Sequence, residues 1–244
     1  MSGVRVAMWS GPRNISTAMM RAFSSRLDTA VIDEPFYAAY LHATGLVHPM
    51  RDAVLASQSV NWREVVGTLV GPIPNGKAVF YQKHMTHHML PFIDQQWMSQ
   101  CCNAFLIRSP VEVLASYVKK REEVDIADIG IVRQRELFQW EADRLGNAPP
   151  VIDAQSILRD PAASLSRLCA ALGIDFQPAM LAWPAGRHPD DGVWAPAWYH
   201  AVELSTGFSP QRNEPAPRLP DHLMRIADEA MPHYEAMHRY CLRI

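Results

Sequence analysis

The 244-residue chain has few cysteines, and none of them forms a C-x-x-C pair. The four are Cys101, Cys102, Cys169 and Cys241. Cys101 and Cys102 are adjacent, and adjacent cysteines rarely bridge to each other. The pattern therefore predicts reduced thiols and a cytoplasmic protein.

The chain also lacks an excess of charge of either sign. Its 23 Lys and Arg residues face 25 Asp and Glu residues, which gives a net charge of -2. This balance provides no electrostatic footprint for a nucleic-acid backbone, so any anion that binds here is expected to be small.

Long apolar runs are missing as well. No stretch approaches the roughly 18 apolar residues that a membrane helix needs. The apolar residues near the start are interrupted by Gly11, Pro12, Arg13 and Asn14 too early for a signal peptide. We therefore expect a soluble chain with neither a membrane nor a nucleic acid as its partner.

What the sequence contains is an alternation of short apolar strands and amphipathic helices. The predicted strands are Val4–Trp9, Thr29–Ile32, Ala78–Tyr81, Ala104–Ile107 and Pro150–Ile152. The predicted helices are Thr17–Arg26, Trp62–Leu69, Pro91–Cys101, Val111–Lys120, Ile131–Leu145 and Ala162–Leu172.

This alternation predicts an α/β fold of three layers, α/β/α, with a central, mostly parallel sheet and ligands at the carboxyl ends of the strands. The length suits one domain over residues 1–244. The Pro-rich stretch at about 178–220 is interpreted as a long excursion over the site, because too little chain follows it to build another domain.

The first strand runs directly into the loop Ser10-Gly-Pro-Arg-Asn-Ile-Ser-Thr17 and then into a helix. A strand, a tight turn and a helix start aim backbone N–H groups at an anion. Gly11 permits close approach, and Arg13 adds a cation with a two-pronged donor face. The second Gly and the Lys of G-x-x-x-x-G-K-[ST] are absent, so the loop is phosphate-loop-like without being that of an ATPase. The alternative is an ordinary strand–helix junction.

A second segment, Leu106–Arg121, ends its strand with Arg108 and carries Ser116 on the helix that follows Pro110. The apolar face explains the helix but not the arginine at the strand end. Arg108 and Ser116 together form a candidate clamp for another phosphate group. Two anion sites on neighbouring strand ends indicate a nucleotide with phosphates on both sides of its ribose.

These segments resemble the sulfotransferases that use 3′-phosphoadenosine 5′-phosphosulfate (PAPS) as their co-substrate. The first loop resembles the one that holds the 5′-phosphosulfate, and the second segment resembles the one in which a strand-end Arg and a helical Ser grip the 3′-phosphate. Val151–Phe176 is similar to the family's later strand, loop and helix. The resemblance implies that the donor is bound by Gly11, Pro12, Arg13, Asn14, Ile15, Ser16, Thr17, Arg108 and Ser116.

The chain departs from the family pattern at two places, which suggests a divergent, bacterial-type branch. Cytosolic and Golgi sulfotransferases usually have Lys in the 5′ loop, where this chain has Arg13. Their C-terminal Arg-Lys-Gly-x-x-Gly segment is also missing, and the candidate replacement lies in Trp198–Pro210. In that segment Ser205, Thr206 and Gly207 are expected to close over the nucleotide.

Two positions are candidates for the base that sulfuryl transfer requires, while Arg13 is expected to stabilise the sulfuryl oxygens. Glu34 lies just past the second strand, where some similar bacterial sulfotransferases carry a carboxylate base. Lys83 and His84 are similar to the family's Lys-Thr-His segment, in which His is the base and Lys assists the leaving group. Because no residue separates Lys83 from His84, their spacing departs from the family pattern, and we favour Glu34.

The remaining polar and aromatic candidates have two interpretations each. His84 and His88 have the i, i+4 spacing of zinc ligands, but the Glu of H-E-x-x-H is absent and Lys83 repels a cation, so no metal is predicted. Aromatic residues of the Pro-rich segment either line an acceptor pocket or pack the segment down. They are Trp183, Trp194, Trp198 and Phe208.

The expected activity is transfer of a sulfuryl group from PAPS to a hydroxyl or amine of a small molecule. One alternative is a phosphate-loop kinase or nucleotide hydrolase, for which Asp33 and Asp153 are candidate Mg²⁺ ligands. Another is a nucleotide-binding module without catalysis. The sequence indicates no oligomeric state.

Overall fold

Five parallel strands form the centre of the protein. The computed structural model describes residues 3–118, 124–209 and 217–244. The strands lie in the spatial order β2-β3-β1-β4-β5, and every neighbouring pair is parallel. Their bounds are β1 Val4–Ser10, β2 Thr29–Asp33, β3 Val79–Met85, β4 Cys102–Ile107 and β5 Val151–Asp153.

Helices cover both faces of this sheet. The α-helices of the described residues are α1 Ser16–Ser24, α2 Tyr37–Thr44, α3 Arg51–Ser57, α4 Trp62–Val70, α5 Pro110–Tyr117, α6 Ile126–Ile129, α7 Ile131–Leu145, α8 Ala154–Arg159, α9 Pro161–Ala171, α10 Ala195–Trp198, α11 His200–Glu203 and α12 Asp221–His238. Among these residues no helix combines the length and the apolar character needed to cross a bilayer.

Alternate residues of β1 supply the two halves of the core. Val6 and Met8 pack in a cluster with residues of α1 and α9. Ala7 and Trp9 pack in a second cluster with residues of α7 and α12. Because side chains of a strand alternate between the faces of a sheet, one strand joins both layers. The predicted α/β/α architecture with a central parallel sheet is confirmed.

The strand order reverses at β1, which lies between β3 on one side and β4 on the other. In open α/β sheets, ligands bind at the carboxyl ends of strands where the order reverses. The loop after β1 is therefore at the position where this fold places its ligand. The carboxyl ends of β3 and β2 lie on one side of this loop, and those of β4 and β5 lie on the other.

The predicted helix Pro91–Cys101 is wrong. The segment holds only a short 3₁₀ helix, Gln96–Gln100. Asp94 Oδ1 accepts a hydrogen bond of 2.9 Å from the Gln96 backbone N–H, and this local turn competes with a helical start.

The sequence also gave no indication of α12, the 18-residue helix that packs against α7 and α5. Pro232 lies inside it, and an internal proline argues against a helix in any pattern-based prediction.

The fold predicts opposite effects of alanine at two glycines. A Cβ at Gly11 would clash with the backbone carbonyl oxygen of Ile129, which a side-chain rotation cannot relieve. We expect Gly11→Ala to lower the free energy of unfolding by about 1–3 kcal/mol. Gly67 lies exposed inside α4 with open space around it, so Gly67→Ala should raise that free energy by about 0.5–1 kcal/mol. Urea unfolding of both variants checks this, and equal stability of Gly11→Ala and the parent would contradict it.

Candidate active site

A cavity of about 440 Å³ opens at the carboxyl edge of the sheet. It takes residues from the ends of four neighbouring strands: Arg108 after β4, the loop after β1, Lys83 of β3 and Glu34 after β2. The candidate site residues that line it are Pro12, Arg13, Asn14, Ile15, Ser16, Thr17, Glu34, Lys83, Arg108, Ser116, Ser205 and Gly207. The structure thus brings together residues that are far apart in the sequence.

The loop after β1 has the backbone geometry of an anion site. Arg13 and Ile15 adopt left-handed conformations with φ of 62° and 55°. Ile15 caps α1 without a side-chain hydrogen bond to the first N–H groups of the helix. The N–H groups of the first turn lack intrahelical acceptors, so they are available to a negatively charged ligand.

Two arginines and a serine meet beside this loop. Arg13 Nε donates to Ser116 Oγ at 2.9 Å, and Arg108 Nη1 donates to the Arg13 carbonyl oxygen at 2.9 Å. Arg108 Nε also pairs with Glu112 Oε2 at 3.2 Å. Arg13 forms no ion pair with any carboxylate in the described ranges. Burial and then Arg108 lower the pKa of Arg13, yet an arginine remains charged, so its positive charge favours an anion.

A buried charge cluster lies on the other side of β1. Lys83 Nζ donates to Asp33 Oδ1 and Glu34 Oε1 at 2.8 Å each and to the Tyr199 hydroxyl at 2.6 Å. An ammonium group has three donors, so all of them are used. Glu34 is connected to the sheet by its backbone N–H, which donates to the Lys83 carbonyl oxygen at 2.9 Å.

The environment of this cluster raises the pKa of both Glu34 and Lys83. Burial raises the pKa of the Glu34 carboxyl above its ordinary value, and this effect outweighs the opposing effect of Lys83. Burial lowers the pKa of Lys83, but Asp33 and Glu34 outweigh it and hold that pKa above its ordinary value. Glu34 is therefore a carboxylate with increased basicity beside an ammonium group that stays charged.

Tyr199 is a site residue that the sequence did not indicate. Its hydroxyl donates to Asp33 Oδ2 at 2.7 Å and accepts from Trp194 Nε1 at 3.0 Å. The Gly192 N–H donates to the same Asp33 oxygen at 3.0 Å. These bonds attach the segment before α11 to the end of β2. Only long-range contacts reveal this role, since no local pattern distinguishes Tyr199 from a packing tyrosine.

His84 lies outside the cavity. β3 continues past the predicted end at Tyr81 to Met85, so consecutive Lys83 and His84 point to opposite faces of the sheet. His84 stacks on Trp9 with ring centroids 4.3 Å apart, and burial lowers its pKa to about 3. It is neutral and enclosed on the face away from the cavity.

Gly11 and Thr206 also lie outside the cavity lining. Gly11 packs against the Ile129 carbonyl group, and the Thr206 carbonyl oxygen accepts from the Trp183 backbone N–H at 3.1 Å. Ser205 and Gly207, on either side of Thr206, reach the lining.

The aromatic residues of the Pro-rich segment divide between the two roles considered. Trp198 and Phe208 line the cavity. Trp183 and Trp194 are buried in core clusters instead. Part of the Pro-rich segment therefore forms one wall of the cavity, and part of it packs that wall onto the protein.

Comparison with known proteins places this chain in a family. The model of the Sulfotransferase domain family matches residues 4–241. Two curated proteins of Arabidopsis thaliana are similar to the chain: branched-chain-amino-acid aminotransferase-like protein 1 is 40% identical over 207 residues, and protein 2 is 36% identical over 207 residues. Each match covers 85% of this chain and 37% or 36% of the relative, so the chain spans about a third of these relatives' length.

Solved structures share the fold at low sequence identity. The sulfotransferase from Alicyclobacillus acidocaldarius matches with a TM-score of 0.55 and 13% identity, covering 99% of this chain and 98% of that one. The sulfotransferase domain of the Synechococcus PCC 7002 olefin synthase matches with a TM-score of 0.54 and 14% identity, covering 93% and 94%. With a family match over nearly its whole length, the chain belongs to the sulfotransferase domain family.

Proposed function

We propose that the protein transfers a sulfuryl group from PAPS to a hydroxyl or amine of a small molecule. The observation that carries this proposal is the order of groups along one sheet edge. Two arginines at the ends of β4 and β1 are followed by a carboxylate–ammonium cluster at the ends of β3 and β2, all in one cavity. An anionic donor requires positive charge, and an acceptor that must lose a proton requires a base in the same cavity.

The groups at the ends of β1 and β4 fit the anionic groups of PAPS. The N–H groups at the start of α1 and the charge of Arg13 suit the 5′-phosphosulfate. Arg108 and Ser116 would hold the 3′-phosphate, and both are within hydrogen-bonding reach of Arg13. Ser205 and Gly207 would close this half from the Pro-rich segment.

PAPS supplies the sulfuryl group when it is bound. Arg13 would stabilise the charge on the sulfuryl oxygens, since it lines the cavity and its Nε is held by Ser116. Glu34 would accept the proton of the acceptor hydroxyl, for which burial has raised its basicity. Lys83 would exchange its Tyr199 contact for the leaving oxygen, because a neutral phenol is the weakest of its three partners.

The contacts of two carboxylates disfavour a Mg²⁺-dependent kinase or hydrolase. Asp33 accepts hydrogen bonds from Lys83, Tyr199 and Gly192. Asp153 caps α8 through the Gln155 N–H at 2.7 Å and accepts from Tyr234 at 2.9 Å. Both candidate Mg²⁺ ligands are therefore engaged in other bonds.

A binding module without catalysis would bind the donor but would not transfer its sulfuryl group, so a turnover assay distinguishes it from the enzyme.

We also propose a cytoplasmic location. All four cysteines are free thiols, and Cys101 and Cys169 are buried. Unpaired cysteines are typical of a reducing compartment.

The proposed donor predicts a specific stabilisation. The product 3′-phosphoadenosine 5′-phosphate, at about 100 times its dissociation constant, should stabilise the folded protein by about 2.7 kcal/mol, or roughly 5–10 °C in melting temperature. Thermal unfolding with this ligand, with adenosine 5′-monophosphate and with ATP plus Mg²⁺ measures the preference. A melting shift with ATP and Mg²⁺ alone would support the kinase instead.

Arg108→Ala tests whether the preference for the bisphosphate over adenosine 5′-monophosphate depends on Arg108. It removes charge-assisted bonds to the 3′-phosphate, so affinity for the bisphosphate should fall more than affinity for adenosine 5′-monophosphate; Arg108 also bonds to the Arg13 carbonyl oxygen, so some loss of the second is expected. Arg133→Ala is the matched control, because Arg133 lies outside the cavity lining and, like Arg108, forms an ion pair with a nearby glutamate, in its case Glu136. An equal loss for both nucleotides in Arg108→Ala would contradict the assignment.

The proposed base predicts different effects of two substitutions. Glu34→Gln keeps the size and hydrogen bonding of the side chain but removes its basicity, so single-turnover transfer at saturating donor should fall by about 10²–10⁴-fold. In the parent, transfer should be lost as the pH falls through the raised pKa of Glu34, because only the carboxylate accepts a proton. Donor affinity should change little.

His84→Asn is the comparison variant, since His84 stacks on Trp9 and lies on the face of the sheet opposite to Lys83. We expect it to transfer near the parent rate once its melting temperature shows that it is folded. If Glu34→Gln transfers at the parent rate and His84→Asn is inactive, the base is His84.

A further inference from the structure

We propose that His88 is a positioning residue for proton transfer: its Nδ1 accepts a hydrogen bond from the Glu34 carboxyl once Oε2 of that carboxyl has taken the acceptor's proton. This inference rests on the proposed function, because it assigns a further residue to the same reaction. For a hydroxyl acceptor, the acceptor's O–H bond breaks and an O–H bond forms on Glu34 Oε2. The electron pair of the acceptor oxygen goes to sulfur, and the leaving phosphate oxygen keeps the pair of the broken S–O bond.

The two oxygens of the Glu34 carboxylate have different surroundings. Oε1 accepts hydrogen bonds from Lys83 Nζ at 2.8 Å and from the Tyr199 hydroxyl at 3.3 Å. Oε2 forms no hydrogen bond within the described ranges and lies 4.0 Å from His88 Nδ1. A proton on Oε1 would displace the buried ammonium group of Lys83, which is costly. Oε2 is therefore the oxygen that can take a proton while the ion pair with Lys83 persists.

His88 Nδ1 is a buried nitrogen without a hydrogen-bond partner among the residues that the structure describes. Burial, followed by the neighbouring His87 and His48, holds the pKa of His88 well below its ordinary value, and the charge of Lys83 acts in the same direction. The ring is therefore neutral, and one of its two nitrogens is an acceptor. An N–H at Nδ1 would draw the Glu34 carboxylate to hydrogen-bond distance, so the gap of 4.0 Å indicates two acceptors that face each other.

Helix α2 fixes the His88 ring and Glu34 relative to each other. The ring stacks on Tyr37 and Tyr40, with centroids 4.5 and 4.8 Å away and interplanar angles of 11° and 29°. The Glu34 carbonyl oxygen accepts a hydrogen bond of 3.0 Å from the Tyr37 backbone N–H. Glu34 also has a left-handed backbone with φ of 40°, a strained conformation of the kind that concentrates at functional sites. The strain and these contacts hold the carboxyl beside the imidazole.

A proton on Glu34 Oε2 changes this pair from two acceptors to a donor and an acceptor. A hydrogen bond that only the protonated form makes stabilises that form, so it raises the pKa of Glu34. The bond is absent while Glu34 is ionised and forms as the proton arrives, so it assists proton removal without contributing to donor binding. Other titratable groups also surround the pair. They are Asp33, Tyr37, Tyr40, His48, Lys83, His84, His87 and Tyr199.

The titration of Glu34, measured with 3′-phosphoadenosine 5′-phosphate bound, tests the proposal without turnover. Infrared difference spectra show the C=O band of each protonated carboxyl, and the band that is missing from Glu34→Gln belongs to Glu34. His88→Phe removes the acceptor nitrogen and keeps a ring against Tyr37 and Tyr40. We expect the pKa of Glu34 to fall by about 0.5–1 pH unit in this variant, a change of about three- to tenfold in its protonation constant.

His84→Phe is the matched control. It removes another buried, neutral imidazole from the same end of β3, on the face of the sheet opposite to Lys83. This variant should leave the pKa of Glu34 unchanged. Should the melting temperature show that His88→Phe is unfolded, His88→Asn takes its place. An amide N–H can donate to the ionised carboxylate, so the pKa of Glu34 should fall at least as far in His88→Asn.

The outcomes separate this inference from the proposed function. An unchanged or raised pKa of Glu34 in the His88 variant, an equal fall in His84→Phe, or no titration of Glu34 in the parent overturns the inference, whether or not sulfuryl groups are transferred. If the pKa falls in the His88 variant alone but the parent transfers no sulfuryl group from PAPS, the proposed function fails and the contact between Glu34 and His88 stands.

Discussion

The ammonium group of Lys83, held between Asp33 and Glu34, is the interaction on which the site depends. Its bonds of 2.8 Å to each carboxylate join the ends of β2 and β3. Buried charges are costly unless each is paired and hydrogen-bonded, and here one cation is shared by two carboxylates. Burial raises the pKa of Glu34, which becomes the group best suited to take a proton.

The same interaction organises the Pro-rich segment. Tyr199 contacts both Lys83 and Asp33, and Trp194 donates to the Tyr199 hydroxyl. The residues that follow reach the cavity lining, among them Ser205 and Gly207. The position of the Pro-rich segment is therefore coupled to the charge cluster, and loss of that cluster would affect both sides of the cavity.

Local sequence patterns anticipated the cavity residues after β1 and β4 more completely than those after β2 and β3. The sequence around the loop after β1 and the sequence around Arg108 each predict a strand, a turn and a helix. Because β1 and β4 are neighbours in the sheet, the two loops lie side by side. Three features depended on information that no local pattern contains. Tyr199 contacts Lys83 only because the fold brings distant parts of the chain together. His84 lies on the other face of the sheet because β3 extends to Met85, whereas the apolar run in the sequence predicted a strand that ends at Tyr81. The lining from α2 and the loop before α3 was not predicted, because the sequence of α2 has no amphipathic periodicity.

The central claim is that the nucleotide lies over β1 and β4 while the acceptor lies over β3 and β2. Intermolecular NOEs between 3′-phosphoadenosine 5′-phosphate and protein carrying ¹³C-labelled methyl groups test it most directly. The claim predicts NOEs from the adenosine protons to the methyls of Ile15 and Leu158, which line the β1–β5 side. It predicts none to Val47, in the loop between α2 and α3, or to Met85, at the end of β3, which line the cavity as well. NOEs to Val47 and Met85 without any to Ile15 and Leu158 would contradict it.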